Sequence, residues 1–190
     1  MENQEFRRPR ISLTRTLRVP NYYTNAIDNE FKDVAFNEER APLNSGKWRS
    51  DVLKVADEMP LDLEIGTGNG VHFQHRAFKH PERCIVGVEL KYKPLIQTIR
   101  GALRKGAKNA AICRYHAFNV DELFQTGELN NIFIHFPDPW TSPRKPSNRF
   151  VNDRVLDILF DRQRPGSELE FKTDSREYFL WSMEHIRKSK

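Results

Sequence analysis

Apolar residues along this chain follow two rhythms. Short runs, Leu61-Asp62-Leu63-Glu64-Ile65, Cys84-Ile85-Val86-Gly87-Val88, Ala110 to Tyr115, Asn131 to Phe136 and Glu168 to Lys172, have the length and composition of strands. Between them the apolar positions fall at helical spacing. Residues 70–78 predict one helix. Leu95, Ile96, Ile99, Ala102 and Leu103 predict a second, with Pro94 in its first turn and Gly106 as C-terminal cap. Val151, Val155, Leu156 and Leu159 outline a third, and a last helix starts near Ser175. Ahead of the first strand, Trp48, Val52, Val55, Ala56 and Met59 predict a helix from Gly46 to Met59, stopped by Pro60. The first forty residues show no clear period, so they read as an extension with local structure at best.

Regular alternation of strand and helix predicts an α/β fold with a mostly parallel sheet and helices on both faces. The division is a basic N-terminal extension over residues 1–40 and one α/β domain over 41–190. In such sheets ligands lie at the carboxyl ends of the strands, near the point where strand order reverses. Chemistry is therefore sought just after each strand.

Composition narrows the class. With 38% hydrophobic and 30% charged residues, the 190-residue chain can bury a core and is not a disordered polyelectrolyte. It holds no apolar run long enough for a membrane span, and arginines interrupt the N-terminus where a secretory signal would need an apolar core. A cytoplasmic location without a membrane partner is the expectation. Cys84 and Cys113 lack CxxC spacing, which predicts reduced packing residues and no metal site. The net charge of +5 gathers in two groups, Arg7, Arg8, Arg10, Arg15 and Arg18, then Arg144, Lys145, Arg149 and Arg154. That clustering points to a polyanionic partner.

After the strand at 61–65 comes Glu64-Ile65-Gly66-Thr67-Gly68-Asn69-Gly70 and then a helix. Glycines let the backbone turn sharply and approach a ligand, while the helix offers its first amides. The spacing G-x-G-x-G departs from the G-x-G-x-x-G that cradles a dinucleotide pyrophosphate. It suits S-adenosylmethionine, which brings an amino-acid end and a ribose. Gly87-Val88-Glu89 closes the next strand about twenty residues on, where a carboxylate can bond ribose hydroxyls. Asp62 and Glu64 share one strand face. A buried pair needs a partner, which a cationic ligand could supply to Glu64.

The fourth strand runs into Phe136-Pro137-Asp138-Pro139-Trp140-Thr141-Ser142-Pro143-Arg144-Lys145-Pro146. Prolines on both sides of Asp138 restrict its backbone. Trp140 offers a flat surface for a base, and the cations that follow suit phosphates, the pairing that nucleic-acid binding needs.

These motifs, together with Phe171-Lys172-Thr173-Asp174, resemble those of the tRNA (guanine-N7)-methyltransferase family across residues 60 to 180. The resemblance implies a Rossmann-like class I methyltransferase fold. It also implies methyl transfer from S-adenosylmethionine to nitrogen 7 of a variable-loop guanosine, position 46, in tRNA. Carried over, Glu64, Gly66, Gly68, Gly70, Glu89, His116 and Ala117 would hold the cofactor, and Asp138 would be catalytic. Asp138, Trp140, Ser142, Arg144, Lys145, Arg149 and Asp174 would meet the substrate. His116 stands where the family usually has aspartate, Ser142 where it has lysine, and Asn148 where it has arginine. The family's Thr-x-(Tyr/Phe)-Glu motif is not found in these residues. These departures motivate one alternative, a non-catalytic RNA-binding protein on the same fold. The oligomeric state is not fixed by the apolar pattern, and a monomer is the favoured reading.

Overall fold

A computed structural model of the chain describes residues 8–140 and 148–189. Six strands, β1 (Ala35–Phe36), β2 (Leu61–Ile65), β3 (Cys84–Val88), β4 (Ala110–Cys113), β5 (Ile132–His135) and β6 (Leu169–Lys172), form one sheet in the order β1-β4-β3-β2-β5-β6. Every neighbouring pair is parallel. The helices are α1 (Tyr22–Asp28), α2 (Val71–Lys79), α3 (Tyr92–Arg104), α4 (Asp153–Arg162) and α5 (Arg176–Lys188). From β2 the chain moves outward through β3 and β4, then returns to the other side of β2 for β5 and β6. The reversal beside β2 opens a crevice at the carboxyl ends of β2 and β5.

Alternation along the strands sorts the core into two layers. On one face Leu61, Leu63, Ile65, Val86, Ile132 and Ile134 pack with Trp48, Val155, Leu159 and Tyr178. On the other, Ile85, Ala110 and Ile112 pack with Phe73, Leu95, Ile96 and Ile99 beneath α1, α2 and α3. Trp48 is fully buried and its indole N–H donates to the Leu123 carbonyl at 2.8 Å, so this large ring leaves no polar atom unpaired. Cys84 and Cys113 are free and buried, and burial pushes the Cys84 thiol up to about 11 and raises that of Cys113 as well. Among the described residues, no helix is long and apolar enough to cross a membrane.

The structure departs from the expected elements in two places. The stretch 46–59 forms a six-residue π-helical turn, Trp48–Leu53, rather than a helix to Met59. Lys54 takes a left-handed conformation and ends it, while the buried Arg49 donates to the Met59 and Glu128 carbonyls. Tertiary bonds replace the ladder that the spacing suggested. Residues 8–40 also hold more than loose local structure. Asn21 caps α1 through a capping box with Thr24, α1 packs on α3, and β1 pairs with β4 at the sheet edge. Ile27, Phe31 and Ala35 are the buried anchors of that region.

Candidate active site

All six strands point the same way, so the segments that follow β2 to β6 gather along one edge. A cavity of about 700 Å³ lies there, within the size range of small-molecule sites. Its walls include Gly66 and Gly68 after β2, Glu89 after β3, His116 and Ala117 after β4, and Phe136, Asp138 and Trp140 after β5.

The glycine loop is built for a ligand on one side and for packing on the other. Gly66 and Gly68 have φ of +75° and +52°, and a Cβ at either would meet nothing within 4 Å. That open space faces the cavity. Gly70 differs, because its Cβ would stand 2.4 Å from the Thr98 hydroxyl and 2.8 Å from the Thr98 Cα, so α2 and α3 approach too closely for a side chain. Glu89 braces the loop from across the crevice. One carboxylate oxygen accepts from the Gly68 amide at 3.0 Å and the other from the Lys91 amide at 2.9 Å. Each oxygen keeps a second lone pair, which is what a ribose diol needs.

His116 stacks on Phe118, with ring centroids 5.6 Å apart, and its Nδ1 accepts from the Phe118 amide. That bond leaves the ring proton on Nε2. Burial lowers the pKa of His116, so the neutral ring, with one donor free, is favoured. Ile65, Val88, Pro94, Phe118, Ile134 and Phe150 supply apolar wall between these polar groups. Open glycine backbone, a paired carboxylate, a neutral imidazole donor and apolar walls fit the ribose and adenine of S-adenosylmethionine.

Beyond β5 the backbone is forced into an unusual path. Phe136 and Trp140 both have positive φ, +50° and +44°, with Pro137 and Pro139 between them. Both aromatic side chains are exposed, and the Asp138 carboxylate is exposed beside them. Arg149 holds this loop. Its Nε donates to the Pro139 carbonyl at 3.0 Å, its guanidinium pairs with Glu177, and it lies over the Tyr178 and Trp181 rings. At 5% exposure Arg149 is a buried brace, which corrects the expectation that it lies along the RNA. Asp174 is exposed just after β6. Ser142, Arg144 and Lys145 lie outside the described residues, as does Arg7.

Glu64 is also placed otherwise than expected. It does not line the cavity but turns to the face beneath α2, where its buried carboxylate meets His72 Nδ1 at 2.7 Å. Asp62, on the same face, accepts from Arg76 at 2.9 Å and from Arg83 Nε at 2.8 Å. The partners of both carboxylates therefore come from within the chain.

One contributor escaped the sequence entirely. Residues 8–14 strap the edge of the sheet, bringing Pro9 into the cavity wall. Arg8 pairs with Asp121 and Glu122, and the buried Arg114 donates to the Ser12 carbonyl at 2.8 Å and to Glu38 at 2.6 Å. Asn119 donates to the Pro9 carbonyl at 3.0 Å. Apart from Arg114–Glu38, these contacts join residues more than a hundred positions apart, which no local pattern reveals. The tail arginine Arg8 is thus engaged with carboxylates, while Arg10 and Arg18 are exposed.

A family model described as "putative methyltransferase" matches residues 58–190. A tRNA (guanine-N(7)-)-methyltransferase from Bdellovibrio bacteriovorus is 62% identical over 86% of this chain and 78% of its own length. One of the same name from Levilactobacillus brevis is 30% identical over 76% of this chain and 66% of its own. Among solved structures, an S-adenosylmethionine-dependent O-methyltransferase from Thermotoga maritima superimposes with a TM-score of 0.53 at 13% identity, covering 69% of this chain and 44% of its own. An rRNA methylase from Streptococcus thermophilus gives 0.51 at 15% identity, covering 73% and 75%. The two solved structures share the Rossmann-like fold of this chain. The chain belongs to the tRNA (guanine-N7)-methyltransferase family, with S-adenosylmethionine as its methyl donor.

Proposed function

We propose that this protein methylates nitrogen 7 of guanosine 46 in the variable loop of tRNA, with Asp138 as the catalytic carboxylate. The observation that carries the assignment is that Asp138 and Trp140 stand on the wall of the same cavity as Gly66, Gly68 and Glu89. S-adenosylmethionine supplies an electrophilic methyl group on a sulfonium. The work left to the chain is to hold donor and base in line. Orientation of that kind supplies roughly 7–11 kcal/mol in favourable cases.

Nitrogen 7 of guanine carries an available lone pair, so no general base is needed to create the nucleophile. Asp138 accepts hydrogen bonds from the N–H edge of the base and eases the positive charge that grows on the ring. Pro137, Pro139 and the Arg149 bond to the Pro139 carbonyl fix that carboxylate before substrate arrives. The exposed Trp140 ring provides a face for stacking. On the cofactor side Glu89 takes the ribose hydroxyls and His116 donates to the adenine edge. Asp174, at the end of β6, receives the substrate from the far side. Arg144 and Lys145 follow Trp140 closely in sequence and supply charge for the RNA phosphates.

The test is transfer of radiolabelled methyl from S-adenosylmethionine to unmodified tRNA transcripts, followed by digestion to nucleosides. Label is expected in 7-methylguanosine and absent from transcripts in which the variable-loop guanosine is replaced. Label in another nucleoside would refute the assignment.

A further inference from the structure

Alternation places Asp62 and Glu64 of β2, Phe133 and His135 of β5, and Glu170 and Lys172 of β6 on the sheet face beneath α2. Register aligns Glu64 with Phe133 and Glu170 in one row, and His135 with Lys172 in the next. Onto this polar patch the first turn of α2 lowers His72, whose ring touches that of His135 at a centroid distance of 4.4 Å. One ligand-type atom from each of His72, His135 and Glu170 lies within 4.8 Å of the others, the only such group of three among the described residues.

We propose that His72, His135 and Glu170 form a site for a divalent transition metal of the zinc type. Two imidazoles and one carboxylate are a donor set that zinc favours, with water filling the fourth position. A tetrahedral ion with bonds of about 2.0–2.1 Å sets its ligand atoms roughly 3.4 Å apart. His135 Nε2 and Glu170 Oε1, which pair directly at 2.8 Å, would part by about 0.6 Å to admit it, and the widest pair would close by roughly 1.4 Å at most.

A second observation singles out this cluster from an ordinary surface ion pair. Glu64, with a side chain only 3% exposed, bonds His72 Nδ1 at 2.7 Å. A carboxylate there holds the proton on Nδ1 and leaves the lone pair on Nε2, the arrangement by which metal-binding histidines are oriented. Glu64 and Glu170 together present two negative charges to a dication. The competing cation is Lys172, 2.6 Å from Glu170, but its side chain is 54% exposed and can turn into solvent at little cost. The three ligands come from α2, β5 and β6, so a bound ion ties these elements together directly below the Phe136–Trp140 loop.

The experiment is a titration of chelator-treated full-length protein with Co²⁺, followed by its visible absorption, with Zn²⁺ competition. Wild type is expected to bind one Co²⁺ with d–d bands typical of low coordination, and to release it to Zn²⁺. Glu170→Gln and His72→Gln should each weaken binding at least tenfold. His80→Gln, which removes a histidine paired with Glu82 outside the cluster, should leave it unchanged. Thermal unfolding guards against a variant that merely misfolds. Zn²⁺ should raise the melting temperature of wild type and of His80→Gln, and not that of Glu170→Gln. Absence of saturable binding by wild type, or equal binding by Glu170→Gln and wild type, would overturn the site.

Discussion

The two halves of the sheet on either side of β2 are built on opposite terms. On the β3–β4 side the face beneath the helices is apolar, with Ile85, Ala110 and Ile112 against α1–α3. The carboxylate proposed there for the cofactor ribose, Glu89, already accepts from two backbone amides. On the β5–β6 side the same face carries Phe133, His135, Glu170 and Lys172, and at the strand ends Asp138, Trp140 and Asp174 stand exposed. One half is complete within itself and, in the proposed reading, receives a small cofactor. On the other, His135, Glu170 and Lys172 pair among themselves, and in the proposed reading the exposed Asp138, Trp140 and Asp174 are left to a large substrate that brings its own partners. A preformed half can bind tightly without rearrangement, while an exposed half gains most of its ordering when RNA arrives.

The comparison breaks most sharply at Asp138. Asp138→Ala should lower turnover by roughly 10²–10³-fold, the range for losing one group that stabilises developing charge, while calorimetric affinity for S-adenosylmethionine stays within about threefold. A parallel collapse of cofactor affinity would show that the two halves are not separable. On the cofactor side, Gly70→Ala pushes a methyl group into the Thr98 backbone at a positive φ. It should cost roughly 1–3 kcal/mol of stability, read by urea unfolding, and weaken the cofactor along with it. An unchanged midpoint would mean that the α2–α3 contact yields more easily than its geometry implies.

A gentler probe is Glu89→Gln, which keeps the shape but loses the charge in the bonds to Gly68, Lys91 and the ribose. Affinity for S-adenosylmethionine should fall about tenfold, or 1.4 kcal/mol, with turnover at saturating cofactor nearly unchanged. A change confined to turnover would move Glu89 into the chemistry. The smallest effect is in pH. Burial lowers the pKa of His116 from an ordinary value of 6.5, so the folded protein prefers its neutral ring. Its contribution to stability is present above 6.5 and is lost as pH falls through the folded pKa, because the unfolded chain takes up the proton first. Cofactor affinity should weaken in the same window in wild type, and His116→Asn should flatten the profile.

Much of this architecture was legible in the residues. The runs read as strands at 61–65, 84–88 and 131–136 contain β2, β3 and β5, and the segments that follow them line the cavity, because a parallel sheet brings every strand end to one edge. Asp138 and Trp140 are exposed at that edge. Side-chain partners were less accessible. Arg149 sits in a basic run and invites an RNA-facing role, but Glu177 and two aromatic rings from α5 draw it inward. Glu64 invites a ligand, but its partner is His72.

By itself the sequence determined what depends on neighbours along the chain: strand and helix periods, glycines that turn, prolines that stiffen, and the order of motifs that marks the family. Tertiary structure alone decided which charges meet. The strap of residues 8–14 across the sheet edge rests on pairs such as Ser12–Arg114. The cluster of His72, His135 and Glu170 joins three elements that no spacing rule connects. The physical reason is range. Backbone preference acts over a few residues, whereas an ion pair or a metal ligand set depends on distances that only the packed chain defines.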